Sequence, residues 1–300
     1  MSILKVENVV KRFRDTVAVN GISFEVEKAT IFGMLGPNGA GKTTLIRIIT
    51  GIFHADEGDI YLDGKKIKGQ TPRHIGYLPE ERGLYKKMKV GEQLLYLTQL
   101  KGLSYKEAKQ SIVSWMKKFE ITDWWNKKVD ELSKGMQQKV QFIATVAHNP
   151  ELIILDEPFT GLDPVNTELI KKEIMTMRDK GVTVIFSTHR MEQVEEICED
   201  IILINKGQLI LQGKVPEIKE KYRENKYIVE FYHRPDLKEL QDLDIVSSSG
   251  NTITLKLKEG MTSNDILAYF INKGIEIKAF KEVLPSLNDI FIKLVTEPEK

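Results

Sequence analysis

Eight consecutive residues, Gly36-Pro37-Asn38-Gly39-Ala40-Gly41-Lys42-Thr43, fit the spacing G-x-x-x-x-G-K-[ST]. Glycines there let successive backbone N–H groups curl around a phosphate, and a helix starting at the lysine adds partial positive charge. Lys42 then reaches the outer phosphates of a nucleotide, and the Thr43 hydroxyl ligates Mg²⁺. A second set lies in Leu152-Ile153-Ile154-Leu155-Asp156-Glu157-Pro158, an apolar run that ends in two carboxylates. Asp156 suits the orientation of Mg²⁺ and its water shell. Glu157, expected on the opposite face of the strand, suits polarising an attacking water as general base. Taken alone, the first segment also reads as a tight surface turn and the second as two acids capping a strand.

Both sets need a scaffold. A short apolar run at 29–35 precedes the glycine loop and a helical pattern at 42–50 follows it, giving the order strand, turn, helix. The runs 152–155 and 182–186 are continuous and apolar, which suits strands of a parallel sheet buried on both faces. Before them, Ile3, Val6 and Val9, then Ile22, Phe24 and Val26, predict an antiparallel entry sheet broken near residues 14–16. Apolar residues from Gly91 to Trp115 recur every three or four positions, so that segment is expected to be helical.

After about Lys219 the texture becomes rich in Lys and Glu, which marks a linker helix or boundary. Beyond it, strands at 227–232, 252–258 and 275–280 and helices at 263–272 and 287–295 predict a small α+β unit. Two domains, 1–220 and 221–300, suit the 300-residue length. With 44 Lys plus Arg against 43 Asp plus Glu, the net charge of +1 excludes a polyanion binder working by bulk charge. The clusters Lys65-Lys66-Ile67-Lys68 and Lys86-Lys87-Met88-Lys89 read as solvated faces, and no nucleic acid is expected as partner. The single Cys198 fits a reducing compartment, the N-terminus lacks a secretory pattern, and no apolar run approaches the ~20 residues that span a bilayer.

Taken together and in order, these segments resemble the ATP-binding subunit of an ABC transporter, of the bacterial exporter type with a C-terminal accessory domain. Further matches are Leu132-Ser133-Lys134-Gly135-Met136-Gln137-Gln138, Gly161-Leu162-Asp163-Pro164 and Ser187-Thr188-His189. The resemblance implies an α/β fold: a P-loop NTPase core with an antiparallel β subdomain, a helical insert at about 84–134 and the C-terminal α+β domain. It implies ATP and Mg²⁺ as cofactors and ATP hydrolysis as the activity.

By the same resemblance, Phe13 stacks on adenine, while Gly36, Pro37, Asn38, Gly39, Ala40, Gly41, Lys42, Thr43 and Thr44 bind the nucleotide. Thr43, Glu80 and Asp156 serve the metal, and Glu157 and His189 are catalytic. Ser133 and Gly135 contact ATP held by a second subunit, and Asp163 lies in the loop that crosses between subunits. Several of these residues have a plainer reading. Ser133 is also a helix N-cap, His189 a structural residue and Phe13 a core ring; Trp124 and Trp125, close to the helical insert, read as packing residues or as contacts of the membrane partner.

Two departures from the family pattern stand out. Glu80, in Gly76-Tyr77-Leu78-Pro79-Glu80-Glu81-Arg82-Gly83-Leu84-Tyr85, replaces the usual glutamine, and Lys134 and Met136 replace a usual glycine and glutamine. The implied partners are a polytopic membrane permease and a second ATPase subunit, a homodimer being expected. The expected location is cytoplasmic, peripheral on the inner face of the cell membrane. Relatives extrude sodium, drugs or lipid-linked cargo. The rival class is a soluble ABC ATPase acting on ribosomes, DNA or an assembly machinery.

Overall fold

The first 27 residues fold on themselves because a left-handed Arg14, φ +47°, reverses the chain between two alternating strands. Strand β1 (Ser2–Phe13) pairs antiparallel with β2 (Thr16–Glu27), and its other edge takes β4 (Glu57–Leu62), then β5 (Lys65–Lys66). The computed structural model describes residues 1–67, 73–81 and 83–296, with only the backbone for Lys238 and Glu239. Lys68 and Arg82 of the segments quoted above lie outside the described residues.

A second sheet carries the candidate site. Its strands are β3 (Ile31–Leu35), β6 (Ile75–Leu78), β7 (Leu152–Asp156), β8 (Thr183–Thr188), β9 (Asp200–Asn205) and β10 (Gln208–Lys214). They lie in the order β10-β9-β3-β8-β7-β6, and every neighbouring pair except β9 and β10 is parallel. Every residue of β3, β7 and β8 is buried, as the unbroken apolar runs require. A parallel sheet also brings all its strand ends to one edge, and there the loops after β3, β7 and β8 meet.

Helices α1 (Lys42–Ile49), α4 (Lys134–Val146), α5 (Pro164–Asp179) and α6 (Met191–Ile197) accompany this sheet. The segment expected to be helical from Gly91 to Trp115 is two helices, α2 (Val90–Leu100) and α3 (Tyr105–Lys118). Gly102 at φ +98° breaks the run, and Ser104 restarts it through a capping box with Glu107. Lys118 of α3 is paired with Glu173 of α5, a carboxylate only 4% exposed.

The chain divides into two compact units, Met1–Val215 and Pro216–Lys300, a little before the boundary that charge texture suggests. Helix α7 (Val215–Lys221) runs through that charged stretch. In the second unit β11 (Lys226–Phe231), β12 (Asp244–Ser249), β13 (Thr252–Lys256) and β14 (Ile277–Val283) form an antiparallel sheet in the order β12-β13-β11-β14. Helices α8 (Ser263–Asn272) and α9 (Leu287–Thr296) complete it. Its core gathers Tyr227, Val229, Phe231, Ile253, Leu255 and Phe270.

Candidate functional site

The glycine loop turns sharply between β3 and α1. Gly41, at φ +106°, is the residue before α1, and a Cβ there would stand 2.3 Å from the Ala18 carbonyl oxygen. Gly36, at φ +152°, has the Ile204 carbonyl oxygen 2.1 Å from the same position, so both sites admit only glycine. Lys42 Nζ donates to the carbonyl oxygens of Gly36 at 2.6 Å and Pro37 at 3.1 Å, which holds the loop closed around the ammonium. Burial pushes the Lys42 pKa down, opposed by the charges of Glu157, Asp156 and Glu80.

Thr43, in the first turn of α1, donates its hydroxyl to Asp156 Oδ2 at 3.0 Å, while Ser187 Oγ donates to Oδ1 at 2.9 Å. Burial raises the Asp156 pKa; these two hydrogen bonds lower it, and the negative charges of Glu80 and Glu157 raise it further. Strand alternation does not carry on to Glu157. That residue is left-handed, φ +51°, and its N–H donates to the Ser187 carbonyl at 2.9 Å. The turn brings its carboxylate to the end of β8 rather than to an opposite face. Thr188 Oγ1 donates to Glu157 Oε2 at 3.0 Å, and the His189 N–H donates to Oε1 at 2.8 Å. The His189 ring Nδ1 is 2.6 Å from the same oxygen.

These groups converge on a cavity of 430 Å³. It is lined by Asn38, Gly39, Ala40, Gly41, Lys42, Thr43, Thr44, Glu80, Asp156 and Glu157. Gly36 and Pro37 stand behind it, on Lys42, and His189 is attached to it through Glu157. Sequence reasoning missed Thr16, Val17, Ala18, Lys206 and Gly207, which line the same space. The Gly207 N–H donates to the Ala40 carbonyl at 2.8 Å, and the Lys206-Gly207 turn was the available signal. A roomier cleft of 650 Å³ between α3 and α5 brings none of the expected site residues together.

The remaining expected residues lie apart. Phe13 is not a core ring: it is 41% exposed, with its centroid 5.6 Å from that of Phe53. Ser133 caps α4 by accepting from the Met136 N–H at 3.3 Å, and Asp163 caps α5 by accepting from the Asn166 N–H at 2.9 Å. Those two helix starts are neighbours, because a Cβ on Gly135 would lie 3.7 Å from the Gly161 carbonyl oxygen.

Chemically, the cavity offers glycine-loop amides, one ammonium, hydroxyls and three carboxylates of Glu80, Asp156 and Glu157. Hard oxygen donors beside an anion cradle fit Mg²⁺ held jointly with nucleotide phosphates. Among the described residues no group of three His, Cys, Asp or Glu could hold a metal by itself.

A second cavity, of 270 Å³, lies against the helical insert and is lined by Ile52, Tyr77, Pro79, Leu84, Leu97 and Leu100 with Lys101, Gln141 and His148. Around it Ile52, Tyr85, Tyr96 and Leu100 are exposed. Trp125 does not contribute to this face: it packs over Gly91, where a Cβ would meet the indole at 2.4 Å. Among the described residues no helix is long and apolar enough to cross a membrane.

Comparison with known proteins gives this geometry its family. Residues 19–160 match the family model described as ABC transporter, and residues 213–295 match the C-terminal domain of ATP-binding proteins like DrrA1-3. The chain is 45% identical to the ABC transporter ATP-binding protein YhaQ of Bacillus subtilis, over 98% of each chain. It is 32% identical to the lipopolysaccharide export system ATP-binding protein LptB of Haemophilus influenzae, over 73% of this chain and 93% of that one. A solved ATP-binding subunit of an ABC transporter superposes with a TM-score of 0.69 at 26% identity, covering 74% of this chain and 93% of the other. The chain therefore belongs to the ABC transporter family, as one of its ATP-binding, ATP-hydrolysing subunits.

Proposed function

We propose that two copies of this chain close on ATP and power a membrane-embedded exporter. The observation that carries the reading is the meeting of Lys42, Thr43, Glu80, Asp156 and Glu157 on one glycine-walled cavity. Lys42 neutralises the outer phosphates, and the loop amides of residues 38–44 hold the chain of phosphates in place, with Gly36 and Pro37 shaping the loop behind them. Thr43, Asp156 and Glu80 would hold Mg²⁺, which when bound supplies positive charge against the phosphate oxygens. Glu157 accepts the proton of the attacking water, and His189, on the same carboxylate oxygen, orients it and faces the outer phosphate. Phe13, exposed at the tip of the β1-β2 hairpin, supplies a ring for adenine.

Ser133 and Gly135, at the start of α4, serve the ATP of the second copy, with Asp163 in the crossing loop. A capping serine at a helix N-terminus already faces an anion site, so the cap and the contact are compatible. Export as the direction of transport rests on likeness to a relative named for lipopolysaccharide export. The permease docks on the apolar groove beside the helical insert, 84–134, with Glu80 at its hinge. Residues 1–220 form the ATPase domain and 221–300 the accessory domain, and the chain works at the inner face of the cell membrane.

The test is affinity purification of the Glu157→Gln protein from gently solubilised membranes of its own source with Mg-ATP. Recovery of a polytopic membrane protein is the expected result. Recovery of soluble ribosomal, DNA-bound or assembly partners alone would replace the transporter reading with the rival class.

A further inference from the structure

The nucleotide cavity has one wall that neither the glycine loop nor the acids supply. It is built from Thr16, Val17 and Ala18 at the start of β2 and from Lys206 and Gly207 in the turn between β9 and β10. Both turn residues are left-handed, at φ +48° and +76°, which is the backbone of a two-residue hairpin turn. The turn is fastened on two sides. The Gly207 N–H donates to the Ala40 carbonyl at 2.8 Å, and the Asn20 N–H donates to the Gly207 carbonyl at 2.8 Å. Lys206 is thereby held between the glycine loop and β2, on the rim of the cavity that it lines.

The two lysines of the cavity stand in different surroundings. Lys42 lies in the field of Glu157, Asp156 and Glu80. Lys206 makes no ion pair with any described residue. Its place along a bound nucleotide follows from the neighbouring hairpin. Phe13 pairs with Thr16 in the β1-β2 register, so the wall of residues 16–18 leads from the exposed ring toward the loop. Lys206 comes where that wall meets the loop, because Gly207 bonds to Ala40 and its Cα lies 3.5 Å from a Cβ placed on Gly41. With Lys42, Thr43 and the acids occupied by the outer phosphates and the metal, the anions within reach of a cation at this junction are the inner phosphates.

We infer that Lys206 is a second phosphate-binding cation, placed on the inner phosphates that ATP and ADP share, while Lys42 serves the outer ones. This rests on the nucleotide-site reading above. A contact made equally before and during phosphoryl transfer strengthens binding without lowering the chemical barrier, so Lys206 sets affinity rather than turnover. Lys206 is exposed on its turn, and replacing it disturbs no core packing.

The experiment is calorimetric titration of the full chain with Mg-ADP and with a non-hydrolysable ATP analogue, with circular dichroism as the folding control. The proteins are wild type, Lys206→Arg, Lys206→Gln, Lys206→Glu and Lys42→Gln. Lys206→Gln should weaken both nucleotides alike, by about fivefold, and Lys206→Glu should weaken both by on the order of 30-fold. Lys206→Arg should restore the affinity of wild type, since it restores the charge. In steady-state hydrolysis the loss should fall on KM rather than kcat. Lys42→Gln, run alongside, should weaken the ATP analogue more than ADP. Wild-type affinity in Lys206→Gln or Lys206→Glu, or a loss confined to the ATP analogue, would overturn the inference while leaving the nucleotide site in place. Unchanged binding of the ATP analogue by Lys42→Gln would instead remove the site reading on which it rests.

Discussion

Strands β7 and β13 are both five residues long, yet they are buried in opposite ways. Leu152–Asp156 is buried throughout and lies between parallel neighbours, whereas Thr252–Lys256 alternates between buried positions and half-buried or exposed ones in an antiparallel sheet. The difference decides where chemistry can gather. Parallel strands send every C-terminal end to one edge, so Leu35, Asp156 and Thr188 bring the glycine loop, two acids and His189 together. Antiparallel strands send successive ends to opposite edges. The C-terminal sheet and α8 accordingly pack Phe231 and Phe270 into a core, and the ion pairs on that sheet, such as Lys278 with Glu230 and Lys226 with Glu224, are exposed or half-buried.

The largest test of this contrast is chemical. Glu157→Gln should lower ATP turnover by about 10²–10⁴-fold, the usual worth of a positioned base, with nucleotide affinity retained. A steady-state assay beside an equilibrium binding titration checks it, and a loss of binding alone would contradict the assignment.

Phe270→Ala should have no such effect on turnover and should cost the C-terminal unit about 3–5 kcal/mol. Phe270 is fully buried against Phe231 and Tyr269, so the cavity left behind cannot simply fill. Urea unfolding should then separate into two transitions. A single transition shifted as a whole would break the comparison.

A smaller effect belongs to His148. Its folded pKa is depressed to about 4 from the ordinary 6.5, so the unfolded chain takes up the proton more readily. The associated stability is complete above pH 6.5 and is lost as pH falls from there toward 4. Unfolding free energies of wild type and His148→Phe from urea titrations should diverge between pH 7 and 5, by an amount on the order of 1–2 kcal/mol. Parallel free energies would mean the ring is solvated.

Ser133 gives the smallest effect on the isolated chain. Ser133→Ala should remove about 1 kcal/mol with the cap, whereas Ser133→Gly should cost only a few tenths. Both variants lose the hydroxyl, so both should close poorly on ATP. A Ser133→Gly protein that assembles like wild type would reduce Ser133 to its capping role.

Much of the active edge was legible because its residues are local. The glycine loop needs contiguous small residues, and an unbroken apolar run ending in Asp156 and Glu157 describes a buried parallel strand. The direction of Glu157 was not legible, because a left-handed residue ends the alternation that sequence spacing assumes. The break at Gly102 escaped because apolar spacing resumes beyond it with little change of phase. Edge strand β12 escaped for another reason: it buries almost nothing, so its sequence carries no alternating signal. Val17 and Lys206 came to the cavity through tertiary folding, from chain far from the motif.

The central claim is that ATP is held between two copies, with Ser133 and Gly135 of one facing the glycine loop of the other. Light scattering of Glu157→Gln at micromolar concentration, with and without Mg-ATP, tests it most directly. The account predicts a monomer that becomes a dimer on adding Mg-ATP and returns to monomer when nucleotide is removed. A protein that stays monomeric with Mg-ATP bound, while wild type turns over normally without dimerising, would contradict it.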